Sequence, residues 1–453
     1  MTIDRAPARR RSMLAGRIGP RTKSLAARSV KSAGSLLRWL ARRPRSTVLV
    51  TTFLGAASIG VVLLIARAPW SPGSAIGDYR VDLDVYRIGS RLWLAGHNLY
   101  EPIRTAHGGT LPFLYPPLSA ILFTPLAVQP FALASIEITV LSVLCLAAVL
   151  LVSLRTFYPR GLGRKHWLAL GILLPVALVF EPVRSTLSYG QINLLLMGLV
   201  ALDCLAARSR WPRGALIGLA AAVKLTPAAF VLFFLLRKDW RSALRAGISF
   251  VVCAGIGFVL DWHDSVSYWT KVAYQTNRIG LGYIGNQSIT AVLMRFGLQP
   301  PLRSAVYLAL VAVFAVLAVL AMRRALAAGQ WVLALSLNGV LELLASPISW
   351  SHHWVWSVPL VLSLVMLGRR RRAVLPLLVA FAGLLLFTIA PQWWMPNPRH
   401  WHFWQQIQGN CYVYFGVLLL IGAAFLPLRL RRSRSTDETT RPARRSELSG
   451  ALS

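Results

Sequence analysis

The chain of 453 residues is 56% hydrophobic and carries 49 Lys and Arg against 15 Asp and Glu, a formal net charge of +34. Apolar runs recur at lengths that cross a bilayer, which excludes a row of soluble domains and predicts an all-α, multi-pass membrane protein. The basic residues lie in the tails and in short loops between apolar runs, as the positive-inside rule produces, so the charge does not indicate nucleic-acid binding.

Both ends of the chain differ from its apolar middle. Residues 1–46 are rich in Arg, Ser and Ala, and residues 429–453 are similarly polar and charged, so both are predicted to be disordered tails. Between them, 47–428 is predicted to form a single transmembrane domain. The protein is predicted to lie in the plasma membrane. Arginines precede its first apolar run, 47–67, which predicts that the amino terminus is cytosolic and that the segment after this run lies on the outer face.

The remaining long apolar runs alternate between basic loops and loops with few basic residues. Segment 117–128 is too short to cross and is predicted to be re-entrant or interfacial. The further predicted spans are 131–154, 166–181, 192–207, 246–262, 304–322, 332–350, 354–368, 373–391 and 411–428. With the interrupted run described next, this gives about twelve helices and puts both termini in the cytosol.

One apolar run, 214–236, has basic residues at both ends, and Lys224 and Pro227 interrupt its middle. A single span would place one basic end outside and invert every later loop, against the positive-inside rule. We therefore predict a hairpin of two half-helices, 214–223 and 226–236, whose broken backbone is satisfied within the protein.

The acidic stretch after the first span is the strongest candidate for chemistry, because Asp78, Asp82 and Asp84 fall within seven residues of a strongly basic chain. A helix over 82–95 would place Asp84 on one face with Arg87 and Arg91, as an ordinary ion-pair partner. Asp82 would instead share a face with Tyr86 and Gly89, where a sugar could approach a small residue and stack on a ring. An N-cap is the alternative role for Asp82.

Other polar residues also fall at predicted outer boundaries. His352 and His353 end an apolar run and could contact a phosphate or position a hydroxyl, although interfacial placement alone would also explain them. Lys224 and Arg184 are candidates for phosphate binding, with snorkelling as the alternative for Lys224. Asn286 and Gln287 could hold sugar hydroxyls. The candidate substrate-binding residues are Asp84, Tyr86, Tyr115, Arg184, Gln191, Asn193, Lys224, Asn286 and Gln287.

The sequence contains no Walker loop, Rossmann glycine pattern or HExxH motif, and its four cysteines are far apart without metal-ligand spacing. A soluble enzyme that uses ATP or a nucleotide sugar is therefore disfavoured. We predict no cofactor and no metal ligand. Asp82-x-Asp84 would point its two side chains apart on a helix, but metal dependence remains open.

Several short blocks, in this order, resemble the polyprenol-phosphate-mannose-dependent α-(1→2)-mannosyltransferases of glycosyltransferase family 87. They are Asp82-Leu83-Asp84-Val85-Tyr86, Gly96-His97-Asn98-Leu99-Tyr100, Tyr115-Pro116-Pro117, Gly190-Gln191-Ile192-Asn193, Lys224-Leu225-Thr226-Pro227, Asn286-Gln287-Ser288 and Ser346 through His353. The resemblance covers roughly residues 47–428 and is nearest to the actinobacterial enzymes that extend phosphatidylinositol mannosides or lipomannan.

The resemblance implies a GT-C fold, a polyprenol-phosphate-mannose donor, a mannolipid acceptor and a catalytic centre at the outer membrane interface. It implies an essential catalytic carboxylate, carried here by Asp82, and a catalytic role for His352 and His353. An arabinofuranosyltransferase that uses a polyprenol-phosphate pentose would share this architecture and remains an alternative. A lipid-sugar transporter is the alternative without an enzymatic activity, although the chain shows no internal repeat.

Overall fold

The computed structural model describes residues 79–106, 108–275, 280–396 and 401–426. Both predicted tails, 1–46 and 429–453, and the first predicted span, 47–67, lie outside these residues. The described chain is almost entirely helical, as the apolar pattern predicts, and its one described sheet is a two-stranded antiparallel hairpin.

The first half of the described chain contains short helices between a few longer ones. Its elements are α1 (Val81–Leu94), β1 (Ile103–Arg104), β2 (Thr110–Leu111), α2 (Pro117–Leu122), α3 (Thr124–Val128), α4 (Phe131–Phe157), α5 (Arg164–Val179), α6 (Glu181–Tyr189), α7 (Asn193–Leu205), α8 (Ala215–Val223), a 3-10 helix (Thr226–Phe230) and α9 (Val231–Leu236).

The second half contains the two other long helices. Its elements are α10 (Trp240–Leu260), α11 (Trp262–Thr270), a 3-10 helix (Val272–Tyr274), α12 (Ile289–Arg295), α13 (Leu302–Ala327), α14 (Trp331–Ala345), a 3-10 helix (Ser351–Trp356), α15 (Ser357–Arg371), α16 (Val374–Ile389), a 3-10 helix (Pro391–Trp394), α17 (Phe403–Gly409) and α18 (Cys411–Phe425).

Three helices of the described part, α4, α10 and α13, are long and apolar enough to cross a membrane. The number rises to 5 if two bent pairs, α5 with α6 and α17 with α18, each count as one span. Several other predicted spans form apolar helices of fewer than 18 residues. Two of them, α7 and α14, end where polar segments begin. The apolar helices fit a membrane protein, whereas the total of about twelve spans stays a prediction.

The interrupted run 214–236 folds back on itself, as the hairpin predicts. An added Cβ at Gly214 would meet Ser242 and Ala246 of α10, and one at Gly218 would meet Ala246, Ser249 and Phe250. Helices α8 and α10 therefore run side by side in the same direction, so the chain must reverse between them. Pro227 causes part of this break, because proline has no amide hydrogen for the helical bond to the residue four positions earlier.

Residues 263–303, which connect the predicted spans 246–262 and 304–322, contain most of α11 and all of α12. Both helices begin with a side-chain cap that the sequence carries. Asp261 accepts a hydrogen bond from the Asp264 amide, and Ser288 accepts one from the Ala291 amide. The short polar breaks between apolar runs therefore start new helices.

A buried apolar cluster lies directly beneath the candidate site. Leu83 and Tyr86 of α1 pack in it with Ile192, Leu196 and Val223, which come from the starts and ends of other helices. The cluster therefore brings together three places where the backbone changes direction, the start of α1, the turn before α7 and the end of α8. Polar side chains from those places converge above it.

Candidate active site

Helix α1 presents Asp82 from its first turn. The helix begins at Val81 with Arg80 at the N-cap position, where the side chain makes no capping hydrogen bond, so the N-cap alternative for Asp82 is wrong. The Asp82 side chain is surrounded by protein and yet keeps partial solvent exposure. A substrate hydroxyl can therefore reach this carboxylate from its solvent-exposed side.

The amide of Gln191 connects Asp82 to two tyrosines. It donates a hydrogen bond to the Asp82 carboxylate, and its oxygen accepts one from the Tyr86 hydroxyl at 2.6 Å. The Tyr115 hydroxyl lies 3.0 Å from the Tyr86 hydroxyl, and the two rings meet edge to face at 5.2 Å. These contacts hold the amide in the orientation that directs its N–H toward Asp82.

Gln191 and Asn193 are presented by the tight turn between α6 and α7. Gly190 ends α6 in the left-handed region at φ 69°, where a Cβ would lie 2.7 Å from the Leu83 Cβ. Asn193 then uses both ends of its amide. Its oxygen accepts a hydrogen bond from the Lys224 ammonium at 3.0 Å, and its nitrogen donates one to the His352 carbonyl at 3.0 Å.

Lys224 enters the site from the break between α8 and the following 3-10 helix. Its backbone is extended there, which ends α8 and directs the side chain toward the polar cluster. Besides its bond to Asn193, the ammonium lies 3.4 Å from Nε2 of His353 and 5.7 Å from the centre of the Tyr115 ring. It also attracts Asp82 electrostatically.

The geometry around His353 assigns its tautomer. An ammonium can only donate, so Nε2 must accept from Lys224, and Nδ1 then carries the proton that the Ile348 carbonyl accepts. Burial and the Lys224 charge lower the pKa of His353 well below its usual range. His353 is therefore neutral at physiological pH.

His352 lies beside His353, with ring centres 4.9 Å apart. The His352 ring also contacts Tyr189 at 5.1 Å, while its carbonyl accepts hydrogen bonds from Thr186 and Asn193. Burial, followed by the charge of Lys224, lowers its pKa as well. Its Nε2 is buried without a hydrogen-bond partner. This nitrogen therefore has an unused hydrogen-bonding capacity beside the polar cluster.

Burial raises the pKa of Asp82 to about 6, against the opposing effects of the Gln191 hydrogen bond and the Lys224 charge. At neutral pH the carboxylate is still largely ionised, but it is more basic than an exposed aspartate. This combination suits a general base, for which a pKa near the working pH is the most effective.

The structure does not bring Asp84 into this cluster. The predicted ion pair with Arg87 and Arg91 is also wrong, because Asp84 is buried and accepts hydrogen bonds from the Tyr79 hydroxyl and the Ala106 amide. The two arginines donate to backbone carbonyls of the α3 region instead. Asp84 thus ties α1 to the segment that carries the β1–β2 hairpin.

The predicted sugar platform on α1 is also not available. An added Cβ at Gly89 would lie 2.6 Å from the Phe113 ring, so this glycine accommodates an aromatic side chain of the protein. Tyr86 is fully buried and stacks on Phe123 at 4.7 Å. Only its hydroxyl group takes part in the polar cluster.

Three other predicted residues hold backbone segments outside the cluster. Arg184 donates to the Thr388 carbonyl. Asn286 bonds to the Leu281 and Pro347 carbonyls and accepts from the Ser349 amide, while Gln287 donates to the Ile284 and Gly409 carbonyls; both side chains are fully buried. Asn286 thereby fixes the segment that leads to the histidine pair, and Gln287 connects its own turn to the end of α17.

Two residues of the site had no assigned role in the sequence. Thr226 and Glu342 line a small cavity behind Lys224, together with Asn193 and His353. The sequence does mark Glu342, because an acid within an apolar run indicates a functional position in a membrane protein. Nothing in the sequence identifies the residue with which Glu342 interacts.

Within the described ranges, no group of three or more His, Cys, Asp or Glu side chains is placed to hold a metal ion. The polar cluster instead combines one accessible carboxylate, one ammonium, two neutral imidazoles, two amides and two tyrosines. It can accept a proton and bind an anion next to it.

The comparison with known proteins agrees with this chemistry. The profile described as glycosyltransferase family 87 matches residues 113–347. A relative from Mycobacterium tuberculosis, named polyprenol-phosphate-mannose-dependent alpha-(1-2)-phosphatidylinositol mannoside mannosyltransferase, is 39% identical over 383 residues, which are 81% of this chain and 89% of the relative.

A relative of the same name from Mycolicibacterium smegmatis is 39% identical over 433 residues, 89% of this chain and 98% of its own. A third, also from Mycolicibacterium smegmatis and named as a phosphatidylinositol pentamannoside mannosyltransferase, is 33% identical over 311 residues, 67% of this chain and 74% of its own. No solved structure matches. The profile and the relatives together show that the chain belongs to glycosyltransferase family 87.

Proposed function

We propose that the protein transfers mannose from polyprenol-phosphate-mannose to a phosphatidylinositol mannoside, forming an α-(1→2) linkage with inversion at the donor carbon. The names of the relatives supply the donor and the acceptor class. The observation that carries the proposal to this chain is the partly exposed Asp82 carboxylate, with its pKa of about 6, within electrostatic range of the Lys224 ammonium.

In the proposed reaction, Asp82 removes the proton from the acceptor hydroxyl while the oxygen of that hydroxyl attacks the anomeric carbon of the donor mannose. The bond from that carbon to the phosphate oxygen breaks, and polyprenyl phosphate leaves with the electron pair. Lys224 is the cation for this phosphate, and the unpartnered Nε2 of His352 donates to it from the neutral ring. His353 and Asn193 hold the Lys224 side chain before the donor arrives.

We also propose a membrane architecture for the protein. A GT-C fold with about twelve spans would place the cluster at the outer face of the plasma membrane and both termini in the cytosol. The positive-inside pattern of the loops supports this orientation. A lipid donor and a lipid acceptor would then both reach the cleft from the outer leaflet.

The decisive experiment incubates purified protein with radiolabelled polyprenol-phosphate-mannose and phosphatidylinositol mannoside. We expect a mannosylated product that an α-(1→2)-mannosidase removes, and no product from the Asp82→Asn variant. Transfer only from a polyprenol-phosphate pentose would support an arabinofuranosyltransferase. Movement of the lipid sugar across vesicles without transfer would support a transporter.

The same assay in the presence of a chelator tests whether a metal ion takes part. We propose that transfer does not need one, so the rate should be unchanged by EDTA. A rate that falls with EDTA and returns with added Mg²⁺ or Mn²⁺ would contradict this.

A further inference from the structure

Glu342 is a carboxylate in the apolar helix α14, where a charge is costly unless a partner compensates it. Its side chain lines the cavity behind Lys224. The Thr226 hydroxyl donates a hydrogen bond to it, and Lys224 attracts it electrostatically. Two carboxylates therefore attract the Lys224 ammonium: Glu342, which lines the same cavity, and Asp82.

The direct contacts of the Lys224 ammonium are neutral groups, Asn193 and His353. Among the described residues, the one basic side chain within ion-pair distance of a carboxylate is His263, which lies elsewhere, beside Asp264. The charge of Lys224 is therefore balanced by the two carboxylates at longer range. This leaves the ammonium free to change partners when a phosphate enters.

The two carboxylates differ in what happens to them during the proposed reaction. Asp82 takes the proton of the acceptor hydroxyl and becomes neutral, so its attraction for Lys224 disappears. At the same moment the departing phosphate gains negative charge. Asp82 does not line the cavity that Glu342 lines, so Glu342 takes no part in this proton transfer.

We infer that Glu342 is a positioning residue that keeps the Lys224 ammonium charged and in place for the phosphate of the lipid donor. This inference rests on the proposed function, since it assigns Lys224 to that phosphate. Thr226 fixes the Glu342 carboxylate in turn, through the hydrogen bond from its hydroxyl.

The test measures the affinity of the purified protein for a short-chain polyprenyl phosphate, which is the leaving group of the reaction. Glu342→Gln should weaken binding about tenfold, within the usual range for a coupled pair of neighbouring groups. Glu137→Gln is the matched control, because Glu137 lies on another apolar helix, α4, and bonds to Gln129. This control variant should bind like the parent protein.

A double-mutant cycle separates positioning from a merely structural role. In a Lys224→Met background, Glu342→Gln should cause no further loss of affinity, because the group it acts through has been removed. In the transfer assay, Glu342→Gln should raise the KM for the donor and leave the KM for the acceptor unchanged. Glu342→Asp, which keeps the charge, should recover part of the loss and covers the case in which Glu342→Gln does not fold.

Three results would overturn the inference: unchanged affinity in Glu342→Gln, an equal loss with and without Lys224, or no recovery in Glu342→Asp. A different result would count against the proposed function itself. If Lys224→Met binds polyprenyl phosphate as well as the parent protein does, then Lys224 is not the phosphate cation.

Discussion

At the scale of single residues, the two acids of α1 have opposite roles although only one residue separates them. Asp82 is partly exposed, whereas Asp84 is buried and accepts hydrogen bonds from Tyr79 and Ala106. The helical periodicity predicted that the two side chains point apart. It could not predict the partners of Asp84, because Ala106 comes from a turn whose path depends on the folded structure.

We expect Asp82→Asn to lower the transfer rate by about a hundredfold or more, the usual effect of losing a general base. The substitution preserves the shape of the side chain, so the melting temperature should stay close to that of the parent protein. Initial rates and thermal unfolding of the purified variants measure the two quantities.

Asp84→Ala should behave in the opposite way. It removes the charged acceptor of two hydrogen bonds, from the Tyr79 hydroxyl and the Ala106 amide, and a hydrogen bond to a charged group contributes about 1.5–3 kcal/mol of stability. We expect a clear fall in melting temperature with residual transfer at low temperature. If Asp84→Ala is stable and inactive while Asp82→Asn stays active, then the assignment of the base is wrong.

The raised pKa of Asp82 predicts an acidic limit to the activity. A base works only while ionised, so the rate should fall as the pH drops through about 6, where Asp82 takes up a proton. The Gln191 hydrogen bond favours the ionised form, so Gln191→Leu should raise the pKa and move this limb to higher pH. The measurement is the transfer rate from pH 4.5 to 8.

Gln129→Leu provides the control for this pH profile. Gln129 also donates to a carboxylate, that of Glu137 on α4, but it is not part of the cluster. Its loss should leave the acidic limb in place. A Gln191→Leu profile with an unmoved limb would show that a group other than Asp82 is responsible for it.

At the scale of elements, the site is built from places where helices stop. The first turn of α1, the Gly190 turn, the break at Lys224 and the 3-10 helix at Ser351–Trp356 each supply part of it. The sequence marks most of these places with Gly or Pro, so the breaks and the residues beside them could be predicted. Which breaks meet in space could not, because that depends on packing between distant apolar faces, such as Leu83 on Ile192.

Gly190→Ala should disrupt the site through the backbone. The left-handed conformation costs a residue with a Cβ about 1–2 kcal/mol, and this Cβ would also press on Leu83, next to Asp82. Gly96→Ala is the matched control, because Gly96 has the same φ of 69° and open space around it. We expect both variants to lose stability, but only Gly190→Ala to lose most of its transfer rate. Equal rates in the two would argue against a role for this turn.

At the scale of the whole molecule, the direction of the chain decides which face the cluster occupies. The parallel packing of α8 and α10 brings the chain back to the end at which it entered, and Arg237 lies within electrostatic range of Arg213 there. Both ends of the hairpin are rich in basic residues, which favours the cytosolic side. The break at Lys224 lies at the far end of the hairpin, beside Asp82.

The topology can be tested by labelling single cysteines in a variant whose four native cysteines have been replaced. Arg210 and Lys238 are exposed and flank the hairpin, so Arg210→Cys and Lys238→Cys report on its two ends. His97 is also exposed and follows α1, the helix that carries Asp82, so His97→Cys reports on that segment. With a maleimide that does not cross membranes, we expect intact cells to label only position 97, because positive loops are retained in the cytosol. Inverted vesicles should label positions 210 and 238. If 238 labels together with 97, the run 214–236 crosses the membrane once, and every later loop changes side.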